Sequence, residues 1–237
     1  MEQVQIGSIA IDVIRKDIKN IHLSVYPPEG RVKISAPNRM ELDTIRVYAL
    51  SKLSWIKKQQ AKFSSQEREA PREYIDRESH YYRGKRYLLR VLETKAPPKV
   101  VLRHDTLDLH VRPGADSDKR KKILSEWYRA QLKHELPALI SKWEQLLSVK
   151  ITAHGVRRMK TNWGTCNPVT GRILLNLELA KKPPGCLEYI VVHELLHMLE
   201  RKHNDRFVAL MSEHLPQWRY YQDLLSRLPM KDEVWDY

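Results

Sequence analysis

The stretch of residues 190–199 constrains this chain more than any other, because it is apolar except for three polar side chains. It reads Ile-Val-Val-His-Glu-Leu-Leu-His-Met-Leu, and its polar members are His193, Glu194 and His197. Burying such groups without partners costs several kcal/mol. A helix formed by this stretch must therefore give them partners, either ordinary hydrogen bonds within a core or a bound ligand.

The spacing of the two histidines favours a bound metal ion. The polar residues fit the pattern H-E-x-x-H, and four residues turn an α-helix by about 400°, which would place His193 and His197 about 40° apart and ~6 Å along the axis. Zinc binds neutral imidazole, and its catalytic sites keep one position open for water. Glu194, about 100° round from His193, would take the proton of that water. The pattern predicts a zinc-dependent hydrolase with Glu194 as its catalytic base.

A third metal ligand is needed, and His203 is the preferred candidate. On an unbroken helix His203 would point about 120° away from His197, so the helix must end before it. The charged residues 200–202 are suited to that break, and Asn204 is a good N-cap for a following helix. The other candidates for the third ligand are Glu200, Glu213 and His214.

The length of 237 residues, 42% of them hydrophobic, allows one large domain or two small ones. The apolar pattern predicts an α+β protein: a strand-rich N-terminal part, residues 1–115, with one long helix at about 41–63, and a helical part with a small sheet, residues 116–237. Strands are predicted at 21–25, 32–34, 81–92, 100–103, 107–111, 149–153 and 173–179, and further helices at 118–147, 185–200 and 205–214. The sequence contains no recognisable internal repeat.

Composition also bears on where the protein works. No apolar run approaches the ~18 residues that a membrane span needs, and the first residues do not have the character of a signal peptide. Two cysteines, Cys166 and Cys186, make no disulfide framework. We expect a cytoplasmic protein without membrane association, whose cysteines are buried and structural rather than metal-binding.

The net charge of +13 is concentrated in one region of the chain. Residues 51–100 hold 13 Lys and Arg residues against six Asp and Glu residues. Such a region can attract nucleic acid through phosphate contacts and the release of counterions. The simpler interpretation is a solvated basic face, so nucleic acid is a possible partner beside a peptide or protein substrate.

The order of several motifs resembles that of the YgjP-like metal-dependent hydrolases, which are zinc metallopeptidases related to the SprT and WLM metallopeptidases of the zincin clan. The motifs are residues 53–56, 82–87, 159–166, 173–177, 189–197 and 203–207. The resemblance implies a zincin-like catalytic domain over residues 116–237. It also implies a Zn²⁺ ion held by His193, His197 and His203, with Glu194 as the base. Asn162 and Thr165 depart from the residues common in this family, which puts any substrate role at those positions in doubt.

The resemblance leaves three functions to weigh. The first is a metallopeptidase that cleaves amide bonds. The second is a nucleic-acid-recruited, SprT-like protease or a DNA-processing or restriction accessory factor, and the third is a non-enzymatic metal-binding module. Zincins commonly bind an extended substrate along an edge strand beside the active-site helix. Residues 173–177 or the Trp163-Gly164 segment are candidates for that strand, and Asn176 is expected either to orient a ligand or to cap the strand end.

Overall fold

The computed structural model describes residues 2–26, 29–65, 72–159 and 162–227, and it divides the chain into two compact units at residues 68 and 69. The sequence instead predicted a domain boundary between residues 115 and 116, which does not coincide with this division. The physical reason is that the strands between residues 79 and 111 share one hydrophobic core with the helices that follow them. These strands therefore belong to the same unit as the helical part.

The first unit is built on a four-stranded sheet. Its strands are β1 (Glu2–Ile6), β2 (Ile9–Lys16), β3 (His22–Tyr26) and β4 (Arg31–Pro37). The order is β1-β2-β4-β3; β1 and β3 each pair antiparallel with a neighbour, whereas β2 and β4 are parallel. The predicted strands at 21–25 and 32–34 are confirmed as β3 and β4, and β1 and β2 were not predicted.

Two helices follow this first sheet where the sequence predicts one. They are α1 (Leu42–Ser51) and α2 (Leu53–Ser65), and Lys52 lies between them. Ile45 of α1 and Ile56 of α2 are fully buried, together with Ile11 and Ile34 of the sheet. The described residues of the first unit thus form a small core of their own.

The second unit begins with another four-stranded sheet. Its strands are β5 (Ser79–Tyr82), β6 (Lys85–Glu93), β7 (Lys99–Leu102) and β8 (Thr106–Val111), in the order β5-β6-β8-β7. The predicted strand at 81–92 is in fact a hairpin, whose two-residue turn has positive φ at both Arg83 (50°) and Gly84 (78°). Such φ values are what a type I′ hairpin turn requires. The strands predicted at 100–103 and 107–111 are confirmed as β7 and β8.

A long helix, α3 (Ser117–Leu147), packs on one face of this second sheet. The Asp116 side chain caps it by accepting a hydrogen bond from the Lys119 amide. Its buried residues include Leu124, Leu132 and Leu136, which lie one to three turns apart on one side of the helix. Helix α3 thereby joins the second sheet to the rest of the second unit.

A small third sheet and three helices complete the unit. The strands are β9 (Ala153–Arg157), β10 (Gly164–Asn167) and β11 (Arg172–Asn176), and the helices are α4 (Pro184–Leu196), α5 (Asp205–His214) and α6 (Trp218–Arg227). The order β10-β11-β9 makes β10 an edge strand. The strand predicted at 149–153 was wrong, since β9 starts only at Ala153. The strand predicted at 173–179 ends early, because residues Leu177–Lys181 form a 3₁₀ turn that the Asn176 side chain caps.

The α+β fold class is confirmed, with a strand-rich N-terminal part followed by a mainly helical part that contains a small sheet. Helix α5 has the predicted bounds, and α6 was not predicted. None of the helices in the described ranges combines the length and apolar character that a membrane-spanning helix needs.

Candidate metal centre

Helix α4 carries the first two predicted ligands at its C-terminal end. It begins with Pro184 in the first turn, where the missing amide hydrogen of proline costs nothing. It ends at Leu196 rather than at the predicted residue 200, so His197 is the residue that follows its last helical position. The early end allows the chain to turn back before His203, as the third ligand requires.

The turn between His197 and α5 is ordered by specific hydrogen bonds. The Glu200 carboxylate accepts a bond from the Lys202 amide at 3.1 Å, and Asn204 caps α5 by accepting one from the Phe207 amide at 3.0 Å. The cap at Asn204 was predicted and is confirmed. These bonds hold the short segment on which His203 lies.

The structure brings the three predicted imidazoles together. One ring nitrogen from each of His193, His197 and His203 lies within 4.8 Å of the other two, and the Nε2 atoms of His193 and His203 are 2.9 Å apart. Two nitrogens bound tetrahedrally at the usual Zn–N distance lie ~3.3 Å apart. The donor set therefore fits one metal ion of this kind. The rival candidates Glu200, Glu213 and His214 are not part of this group among the described residues.

Two contacts fix the orientation of the rings. The Nδ1 of His197 lies 3.1 Å from the backbone oxygen of Glu200, and because a carbonyl only accepts, Nδ1 carries the hydrogen and Nε2 keeps its lone pair. The buried ring of Phe207 packs against all three imidazoles, with centroids 4.8 to 5.1 Å apart. Phe207 thus forms an apolar support for the cluster.

Burial also keeps imidazole in the neutral form that a metal needs. Burial lowers the pKa of His193 to about 3, and the neighbouring His197 and His203 act in the same direction. The pKa of His203 is lowered by burial and by His197. Neutral rings offer lone pairs, so the site suits a cation without first losing protons.

Glu194 lies beside this cluster, buried between α4 and the edge strand β10. Its residue surface is 5% exposed, and burial raises the pKa of its carboxyl group to about 8. A bound divalent cation would act in the opposite direction by favouring the charged form.

The strand β10 approaches Glu194 so closely that only glycine fits. A Cβ atom added to Gly164 would lie 2.6 Å from Oε1 of Glu194 and 2.7 Å from its Cγ. Gly164 therefore lets the carboxylate lie against the edge strand. The sequence offers no local signal for this contact, because the two residues belong to different elements and meet only through packing.

Cys166, two residues further along β10, lies on the same side of the strand. Its sulfur is 3.8 Å from the sulfur of Met198, and burial, with the charge of Glu194, raises its pKa to about 11. Cys186 is fully buried in α4, and burial raises its pKa to about 11 as well. Both are free thiols; Cys186 is buried as expected, whereas Cys166 is only partly buried.

Asn176 serves the strand end rather than a ligand. Its fully buried side chain accepts from the Glu178 amide at 3.2 Å and donates to the backbone oxygens of Met159 and Asn162 at 3.0 and 2.9 Å. It thereby holds the segment before β10 in place. Of the two predicted edge-strand candidates, the segment starting at Gly164 is at the edge, whereas β11 lies in the middle of its sheet.

Comparison with known proteins places the chain in a class and then in a family. A family model described as YgjP-like, metallopeptidase domain, matches residues 19–228, so the domain is of the metallopeptidase class. The chain belongs to the YgjP-like family, as its motifs predicted. Membership of this metallopeptidase family implies that the protein is a hydrolase with a metal ion. The three histidines are a group that can hold such an ion.

Two further comparisons complete this description. The crystal structure of the metallopeptidase zymogen of Pyrococcus abyssi abylysin is similar to part of the chain, with 18% identity and a TM-score of 0.35, over 38% of this chain and 90% of that one. A search of curated proteins found no match.

Proposed function

We propose that the protein is a zinc-dependent metallopeptidase in which His193, His197 and His203 hold the metal ion and Glu194 is the catalytic base. The observation that carries this proposal is the convergence of three imidazole nitrogens within 4.8 Å of one another at the end of the helix that also presents a buried carboxyl group. Zinc is preferred because three imidazoles with one open position are its usual catalytic ligand set, although imidazole suits other divalent metals as well.

Each residue has a defined task in this proposal. When bound, the zinc ion supplies Lewis acidity, which polarises a substrate carbonyl and makes water acidic near neutral pH. Glu194 accepts the proton of the attacking water and returns it to the leaving amine. The backbone oxygen of Glu200 and the ring of Phe207 keep the imidazoles in position.

The free edge of β10 is the proposed binding place for a peptide or protein substrate. An extended chain can add to a sheet edge through backbone hydrogen bonds. Among the residues that the structure describes, strand β10 pairs with β11 alone, and it lies against Glu194 at Gly164. A substrate added there would run directly past the proposed base. The two free thiols support the expected cytoplasmic location.

The decisive experiment replaces Glu194 by Gln, with Glu213→Gln as the matched control. Glu213 is an exposed glutamate of α5, so its replacement should change neither zinc content nor activity. We expect Glu194→Gln to keep about one zinc ion per chain and to lower hydrolysis of a denatured casein substrate by roughly 10²- to 10⁴-fold, the usual contribution of a general base. Equal turnover by the two variants would contradict the proposal. Zinc binding without any Glu194-dependent hydrolysis of a broad peptide library would instead indicate a metal-binding module.

A further inference from the structure

The two faces of the second sheet differ in character. Helix α3 covers one face, where the side chains of Tyr82, Leu89, Leu107 and Leu109 are buried. Strand alternation and the pairing register place the other residues on the opposite face, which we call the outer face. Its residues are Ser79, Tyr81, Arg86, Leu88, Arg90, Leu92, Lys99, Val101, Thr106, Asp108 and His110.

The outer face is strongly basic. It presents Arg86, Arg90 and Lys99, all exposed, and Arg103 joins them from the turn after β7. Within strands β5 to β8, which the structure describes in full, Asp108 is the one carboxylate of this face, and it is 3% exposed. An approaching partner therefore meets these cations, with Asp108 beneath them and the exposed Asp105 in the same turn as Arg103.

Asp108 holds two of the arginines in the middle of the face. Its Oδ1 is 3.7 Å from Nη1 of Arg90, and its Oδ2 is 3.3 Å from Nε of Arg103. Their side chains remain 52% and 61% exposed. The Arg103 contact uses Nε, so both Nη groups remain outside it. Guanidinium groups held this way are pre-organised for phosphate oxygens.

Apolar side chains lie among these cations. Leu88 is 40% exposed and Tyr81 is 36% exposed, and the guanidinium of Arg72 lies 5.9 Å from the centre of the Tyr81 ring. An aromatic ring on an open sheet beside arginines is a surface on which an unpaired base can stack. Stacked bases would also cover the exposed leucine.

We propose that the outer face of the second sheet binds a single-stranded nucleic acid. Its phosphates would meet Arg86, Lys99 and the arginines held by Asp108, and a base would stack on Tyr81. A duplex is disfavoured because its bases are already stacked on one another and leave none to stack on the tyrosine ring. An acidic polypeptide would satisfy the cations but has no planar bases for the tyrosine. The inference does not depend on the proposed hydrolase activity.

The test measures binding of the full chain to a fluorescent 20-nucleotide oligothymidylate by anisotropy across a salt series, with oligouridylate as a parallel probe. The variant Arg86→Gln with Lys99→Gln removes two outer-face charges and leaves the Asp108 contacts intact. The control, Lys122→Gln with Lys133→Gln, removes two exposed charges from α3 on the opposite side of the sheet. We expect the first variant to bind at least about tenfold more weakly and to lower the salt slope by roughly 1.4, since a single strand contributes about 0.7 per phosphate contact. The control should bind within about twofold of the native chain.

Substitutions of Tyr81 test the stacking part of the proposal without changing the charge of the surface. Tyr81→Ala should weaken binding roughly tenfold, whereas Tyr81→Phe should keep it, because the ring and not the hydroxyl stacks. Equal losses in the two charge variants, equal affinity for a 20-base-pair duplex, or polyglutamate competing as well as oligothymidylate would each overturn the proposal. Failure of the native chain to bind at about 50 mM salt would do so too. Metal content and hydrolysis should be the same in all these variants.

Discussion

The two four-stranded sheets of this protein have the same topology and different surroundings. In each, the first two strands form a hairpin, the second and fourth strands are parallel, and the third pairs antiparallel with the fourth. Each sheet is followed by helical structure that packs on one of its faces. Within the described ranges, the second sheet shares its core with α4, the helix that carries His193, whereas the core of the first sheet contains no residue of α4.

The hairpin turns show how the difference arises. In the second sheet, the amides of Arg83 and Gly84 donate to the backbone oxygens of Ala180 and Lys181 at 2.9 and 3.1 Å, just before α4. The corresponding hairpin of the first sheet turns at Gly7, where an added Cβ atom would meet nothing within 4 Å. The same arrangement of strands thus supports the start of α4 in the second sheet, through the hydrogen bonds of its hairpin turn. This illustrates that function lies in the site and not in the fold.

The largest expected effect is the loss of zinc binding by the second unit, which contains the three histidines. Replacing His203 by Ala should reduce zinc from about one ion per chain to below about 0.1 under competition with a chelator, because two imidazoles rarely hold zinc alone. His214→Ala is the control and should keep the metal. Hydrogen exchange should become faster in α4 of the His203 variant and stay unchanged in β2 and β4. Retention of zinc by the His203 variant would mean that another residue completes the site.

The next effect comes from removing one buried side chain from each of the two cores. Leu107 of the second sheet and Ile34 of the first are both fully buried, so replacing either by Ala should destabilise its own unit by about 2 to 5 kcal/mol. Only Leu107→Ala should also weaken zinc binding, since Leu107 belongs to the core that contains α4. Zinc affinity and hydrogen exchange of both variants would test this, and equal effects on zinc affinity would show that the cores do not act separately.

A smaller effect is expected from replacing the glycines of the two hairpin turns, which form a closely matched pair. Gly7 and Gly84 both have positive φ, 57° and 78°, but a Cβ atom on Gly84 would lie 2.8 Å from Cγ of Pro183. Gly7→Ala should cost about 1 to 2 kcal/mol of backbone strain. Gly84→Ala should cost more and should also lower zinc affinity several-fold by displacing the start of α4. Thermal unfolding with and without zinc would measure both, and identical zinc affinities would contradict the supporting role of the second hairpin.

The smallest effect concerns pH and a histidine of the second hairpin. His80 is 2% exposed and occupies the place that Val4 holds in the first. Burial lowers the pKa of His80, as does the charge of Arg72, whereas contact with Glu78 raises it. The folded state thus keeps the ring neutral while the unfolded chain takes up a proton below pH 6.5. Stability from this group is complete above that pH and falls below it, by about 1 kcal/mol at pH 5.5. His80→Gln should flatten this slope in urea unfolding, with His22→Gln, at an exposed histidine of the first sheet, as the control.

The sequence predicts helix α4 and its polar side chains well because their signal is local. His193, Glu194 and His197 are related by helix geometry alone, and the Asn204 cap depends on its immediate neighbours. The order of motifs also led to the correct family. The α+β class followed from the change in apolar periodicity along the chain.

What the sequence did not reveal depends on contacts between distant residues. The approach of Gly164 to Glu194 and the packing of Phe207 on the imidazoles arise from tertiary structure. The shared topology of the two sheets needs only alternating apolar residues, so it leaves no repeated sequence. The Arg83-Gly84 turn was missed because it lacks the usual Asn-Gly or Asp-Gly signal. The predicted domain boundary does not coincide with the division into compact units, because the second sheet packs with residues that follow it.

X-ray absorption at the zinc edge, on protein purified without added metal, tests the metal centre most directly. We expect three nitrogen ligands at about 2.0–2.1 Å and one oxygen. A sulfur ligand at about 2.3 Å or only two nitrogen ligands would contradict the assignment of the three histidines.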